Sequence, residues 1–199
     1  MGFCMIPAAV ENDCFAHIGG NKTSLDAERP TTVLTIGGPK RIDKVSRGDA
    51  LETLAYGENS LEWVGATILS RNDILDMPYL APVEIKAGSL APGLPTSDLL
   101  VTQQQRLFVN STMASEYFGS YEALVPAVEL LNIPGVTIAQ DYAEVTYIHV
   151  LFHTQEFIWV NGVLTEILNS DQNKLQDKSP EARRELASLF PEALDPQYM

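Results

Sequence analysis

Residues 31–54 read TTVLTIGGPKRIDKVSRGDALETL, and this stretch decides the fold class. The β-branched run TTVLTI breaks at Gly37-Gly38-Pro39, where a tight turn needs a positive or a fixed φ, and apolar alternation resumes in KRIDKV and ALETLAY. These are short strands joined by hairpins. Outward from this stretch, SLEWVGATIL is a fourth run, with Gly57-Glu58-Asn59 read as the turn before it. Residues 73–98 are rich in Pro and Gly. They predict one short strand at VEIKA and otherwise a long ordered loop that divides two strand-rich halves. The second half runs through DLLVTQQQRLFV, EALVPAVELL, GVTIAQ and EVTYIHVLF to FIWVNGVLTEIL, whose Asn161-Gly162 is a hairpin signal. After the polar linker SDQNKLQDKS, Ser179-Pro180-Glu181 opens a helix with an N-cap, a proline at the first helical position and an acid in the first turn. Leu186, Leu189 and Phe190 form its apolar face, and a helix this short needs to dock on the β-domain to be stable.

Composition narrows the function classes. A chain of 199 residues with 45% apolar content is read as one main globular domain. Its apolar runs fall well short of the roughly 20 residues that cross a bilayer, so no membrane span is expected. The N-terminus MGFCMIPAAVENDCFA has no basic region and is broken by Pro7, which argues against a secretory signal; location is left open between the cytoplasm and secretion by a signal-independent route. A net charge of −13 repels phosphate backbones and anionic membranes, so neither nucleic acid nor membrane is an expected partner, whereas a polypeptide partner or flanking segment is compatible. The only cysteines, Cys4 and Cys14, would close too small a loop to staple the domain. His17, His149 and His153 make no zinc-ligand spacing with them, so neither metal nor cofactor is expected.

The strand, turn, strand and Gly48-Asp49 order of residues 31–54 resembles the opening of Hedgehog/intein (Hint) domains. SLEWVG, PVEIKAGSLAPGLPTSDLLVTQQQRLFV and EVTYIHVLFHTQEFIWVNGVLTE resemble, in the same order, the bacterial autoprocessing-type members, and EARRELASLFPEAL is similar to their C-terminal helix. The resemblance implies a mostly β, horseshoe-like fold with pseudo-twofold halves plus a short C-terminal helix. It divides the chain into an N-terminal extension (1–13), a Hint-like β-domain (14–168) and a linker with the docking helix (169–199). It also implies a chemistry. A cysteine attacks the preceding carbonyl to give a thioester, a TxxH histidine protonates the leaving amide nitrogen, and a second nucleophile resolves the intermediate.

Carried over residue by residue, that implication meets several replacements. Cys14, followed by Phe15, is the candidate nucleophile, with cleavage at Asp13-Cys14. Counting back from Gly48-Asp49 without gaps instead puts Asp26 at the cysteine position, so Cys14 serves only if about a dozen residues are inserted after it. Thr102-Gln103-Gln104-Gln105 falls at the TxxH motif, with Gln105 in place of the histidine; glutamine can hydrogen-bond but has no accessible pKa for proton transfer. Gln155 stands where relatives carry a second histidine, and Thr165-Glu166 where inteins end in His-Asn, which excludes asparagine cyclisation there. His149 is kept. His153, four residues on, shares its face in an uninterrupted strand, so the two form either a substitute acid/base pair or a core-edge histidine and a turn residue. Asp49 reads as a turn anchor, and Trp63 and Trp159 as core or cleft-wall aromatics. The expected function is a Hint-like domain that does not cleave and acts as a binding or structural module, with slow self-cleavage as the alternative.

Overall fold

The computed structural model describes residues 15–20, 31–110, 115, 116, 118–139, 142–152, 154, 156–167 and 179–189, with residues 15–20 and 151 described by their backbone. Cys14, Asp26, His153, Gln155 and Phe190 lie outside the described residues. The described residues are mostly β, as the sequence implies.

Among the described residues, two antiparallel sheets carry the fold. One runs in the order β11 (Val136–Ile138), β7 (Val83–Ile85), β8 (Leu99–Val101), β1 (Phe15–Gly20), β12 (Glu144–Leu151), β6 (Trp63–Ser70). The other runs β10 (Glu122–Pro126), β9 (Arg106–Asn110), β14 (Val163–Ile167), β13 (Glu156–Val160), β2 (Thr32–Thr35), β4 (Ala50–Thr53), β5 (Gly57–Ser60), with β3 (Gly38–Arg41) paired to β2. The helices α1 (Arg71–Asp76) and α2 (Pro180–Leu189) accompany them.

The local chemistry explains most of these elements. Asn161 at φ 46° and Gly162 at φ 79° make the left-handed turn that joins β13 to β14, as Asn-Gly predicts. Asp49 anchors its turn as expected: its Oδ2 accepts from the Ser46 amide at 2.7 Å and from Lys40 Nζ at 2.5 Å. Ser179 caps α2, its Oγ accepting from the Ala182 amide at 3.1 Å.

Three expectations are corrected. Gly57-Glu58-Asn59 is not the turn but part of strand β5, and the chain reverses just before it, because Thr53 pairs with Gly57. The 73–98 segment is not all loop outside VEIKA. It begins inside α1, whose Ser70 and Asp73 form a reciprocal capping box, and a 3₁₀ turn follows at Pro78–Leu80. The run KRIDKV is not one strand, since β3 ends at Arg41 and Ile42–Lys44 form a 3₁₀ turn. Phe15–Gly20 forms β1 between β8 and β12.

Alternation along β12 divides the interior. Ile148 and Val150 face the main core between the sheets, with Val101, Leu107, Ile158 and Ile167 among their companions. Val145 and Tyr147 belong to a smaller core on the opposite face, with Ile74 of α1 and Leu189 of α2. Each fully buried Leu or Ile contributes about 1.5–3 kcal/mol. The two-residue period thus puts odd-numbered β12 side chains under α2.

Candidate functional site

Thr102 to Gln105 cross from one sheet to the other, leaving β8 and entering β9. The Gln105 amide donates to the Thr102 carbonyl at 3.3 Å, closing a β-turn. That bond uses the last N–H of the turn and leaves the two central ones pointing outward. The turn is held from several sides. Gln103 Nε2 donates to the Pro78 and Ala81 carbonyls at 2.9 and 3.0 Å, and the Gln105 carbonyl accepts from the Ala127 amide at 2.8 Å.

Gln105 is fully buried, and its Nε2 donates to the Glu166 carbonyl at 2.9 Å and, more weakly, to the Arg106 carbonyl at 3.3 Å. Its Oε1 is buried with no partner among the described residues. The same is true of Glu156 Oε2, although Glu156 Oε1 accepts from Asn59 Nδ2 at 2.8 Å and Thr154 Oγ1 at 3.1 Å. Ile167 lies between the two side chains: it pairs with Glu156, and continuing the Thr165–Leu107 register by two residues brings Gln105 opposite it. Thr165 is buried, and Glu166 holds Arg106 Nη1 at 3.2 Å.

His149 lies on β12, opposite Gly65 of β6 and Ala16 of β1. Its ring is 3% exposed, and burial lowers its pKa from 6.5 to about 4. Thr67 Oγ1 lies 2.9 Å from Nε2, and the same hydroxyl donates to the Leu189 carbonyl of α2 at 2.7 Å. Continuing the His17–Val101 pairing by one residue sets Thr102 opposite Ala16, so Thr102, Ala16, His149 and Gly65 form one row across four strands.

The structure therefore splits the sequence-predicted set. Thr102 and His149 share a row and are both reached by α2, while the Gln105 amide engages the backbone of β14. Cys14 and His153 fall outside the described residues; β1 begins at the residue that follows Cys14. Among the described residues, no group of three or more His, Cys, Asp or Glu is placed to hold a metal, and no helix is long and apolar enough to cross a membrane.

One residue at this site escaped the sequence reading. Glu185 of α2 is 6% exposed, and its Oε2 accepts from the Gln104 amide at 3.1 Å, beside the Thr102 hydroxyl and the Gln103 amide. Burial raises its pKa from 4.5 to about 7, against the lowering effect of those three donors. Glu185 and Leu189 are one helical turn apart and are the buried residues of α2, with Leu186 half-buried. A spacing of four from Leu189 was the available signal. Tyr147, beneath the helix, donates its hydroxyl to the Leu80 carbonyl; burial and the nearby Glu185 carboxylate keep its pKa well above the usual value.

A family model of the Hint domain matches residues 28–172, well over half of the chain. It begins after β1 and ends before α2. No curated protein matches the chain at a significant level. With the mostly β architecture already described, the family match establishes that this chain belongs to the Hint domain family, whose members are of the self-processing type.

Proposed function

We propose that this chain is a degenerate member of the autoprocessing Hint group, one that keeps the fold, does not cleave itself appreciably and serves as a binding or structural module. The observation that carries this reading is the state of Gln105. It occupies the position read as the TxxH histidine, its amide nitrogen is committed to the Glu166 carbonyl, and its remaining oxygen only accepts. Expelling a peptide nitrogen needs a proton within hydrogen-bond reach. Loss of such general acid catalysis slows a reaction by roughly 10²–10⁴-fold, about 3–5 kcal/mol on the barrier. His149 adds nothing at neutral pH in this reading, since burial keeps its imidazole unprotonated.

The competing reading is slow cleavage at Asp13-Cys14. It is supported by the pairing of Phe15–Gly20 with β12, which runs the chain that follows Cys14 alongside His149.

One experiment separates them. A well-folded protein fused to the N-terminus is incubated near neutral pH with dithiothreitol or hydroxylamine, and intact mass is followed overnight. The expected result is an unchanged mass. Release of the fusion with residues 1–13, abolished by Cys14→Ala, overturns the degenerate reading. Recovery of cleavage in Gln105→His would show that Cys14 is correctly placed and that only the acid is missing.

A further inference from the structure

Among the described residues, β1 alone joins β8 to β12; without it the six-stranded sheet falls into two parts, β11-β7-β8 and β12-β6. Phe15–Gly20 pairs with β12 along its whole length, from Phe15 opposite Val150 to Gly20 opposite Val145, and with β8 where His17 stands opposite Val101. Neighbouring strands lie about 4.8 Å apart, so β8 and β12 stand roughly 10 Å from each other, the room that one extended backbone takes. The walls of this slot are buried, with Val101 on one side and Tyr147, His149 and Val150 on the other. Left empty, the slot would hold their peptide groups unpaired in the interior, so the fold requires a strand there.

The strand that fills the slot comes from outside the family-matching unit. The match begins at residue 28, after β1, whereas β8 and β12 both lie within it. FAHIGG brings little strand tendency of its own, since it ends in two adjacent glycines, and it contains no Asp, Glu, Lys or Arg. Both features suit a slot that offers main-chain N–H and C=O groups on two sides and uncharged walls. We propose that the slot between β8 and β12 is a strand-binding site, and that its ligand is the chain's own upstream segment, residues 15–20, held through main-chain pairing as an uncharged extended peptide antiparallel to β12. This is strand addition to a sheet, made to two edges at once. The inference rests on the reading of the domain as a binding module and deepens it by naming what is bound.

The test uses the full chain with a protease site inserted between Lys22 and Thr23, folded first and then cut. Intact mass before the cut reports any self-cleavage, so a failure of the non-cleaving reading is seen separately. After the cut, native mass spectrometry is expected to find residues 1–22 bound to one copy of the remainder, and an isotope-labelled peptide of residues 13–22 to displace them. The same peptide carrying Ile18→Pro cannot donate to the ladder of an interior strand and should bind about tenfold more weakly. Separation of the fragment, equal binding of the two peptides, exchange only after unfolding in urea, or a complex of two copies that share their strands overturns the proposal. Should the cut chain not stay folded, hydrogen exchange of the uncut wild-type chain decides. The amides of residues 15–20 must exchange in an opening that leaves those of β13 and β14 protected; exchange only together with them refutes a bound strand.

Discussion

Thr67 fixes which ring nitrogen of His149 carries its proton. Its hydroxyl has one proton, which goes to the Leu189 carbonyl at 2.7 Å, so the 2.9 Å contact with the imidazole is donated by Nε2–H. His149 is therefore the neutral Nε2–H tautomer. With a pKa held at about 4 by burial, only about one ring in a thousand is protonated at pH 7.

Replacing that hydroxyl by a methyl of the same shape isolates the relationship. Thr67→Val leaves the His149 N–H and the Leu189 carbonyl each without its partner while keeping the packing. A loss of about 1–3 kcal/mol is expected from urea unfolding, together with faster solvent exchange of the imidazole N–H proton. Unchanged stability would mean that the Thr67 hydroxyl is not the acceptor.

Opposed titrations give the docked helix an unusual pH response. Glu185 has a raised pKa, so its contribution is fully present below 4.5 and is lost as pH rises to about 7. His149 has a lowered one, so its contribution is present above 6.5 and is lost as pH falls to about 4. Each shift corresponds to about 3 kcal/mol at its full extent, and in the overlap the two slopes cancel. Stability of the wild-type chain should change little between these limits. Glu185→Gln should expose a steady fall toward acid, and His149→Gln a fall toward neutral pH. No slope in Glu185→Gln would sink the His149 assignment, and none in His149→Gln the Glu185 assignment.

Asn161 does more than turn the hairpin. Its Oδ1 accepts from the Thr32 amide at 2.8 Å, and its Nδ2 donates to the Ser97 and Asp98 carbonyls at 3.4 and 3.2 Å. Asn161→Asp keeps the acceptor and the left-handed backbone but sets an oxygen against two carbonyls. About 2–3 kcal/mol of stability should be lost, read as a lower urea midpoint at unchanged slope. Asn161→Gly, which removes the clamp without adding charge, should lose less.

Gly65 leaves room for an aromatic ring. A Cβ there would stand 2.1 Å from Trp63 Cη2, so Gly65→Ala must push the indole off the strand, next to His149. Red-shifted tryptophan fluorescence and a stability loss of about 1–3 kcal/mol are expected. An emission spectrum matching that of the wild type would show that the ring does not lie over Gly65.

Much of the fold was legible locally. The apolar alternation of β2, β6, β12, β13 and β14, the Asn161-Gly162 turn, the Asp49 anchor and the start of α2 are each set by a few neighbouring residues whose chemistry permits few backbone choices. Gln105, read in the sequence as standing at the TxxH position, owes its burial and its bond to the Glu166 carbonyl to the tertiary structure. β5 was misread because it is a short polar strand at the edge of its sheet, held by pairing with β4 and not by burial. The helix α1 carried a readable signal, Ser70 with Asp73, inside a segment whose prolines and glycines suggested only loop.

What the tertiary structure alone decided is which distant segments meet. FAHIGG has little strand pattern of its own and becomes β1 because β8 and β12 offer it two hydrogen-bonding edges. Glu185 looks like one more charged residue on a polar helix until α2 docks and sets its carboxyl group against the Gln104 amide. Strand pairing and helix docking join groups far apart in the chain, so local propensity carries no record of them. The solvation of a carboxylate or an imidazole, and with it the direction of its pKa, is set only once those partners have closed over it.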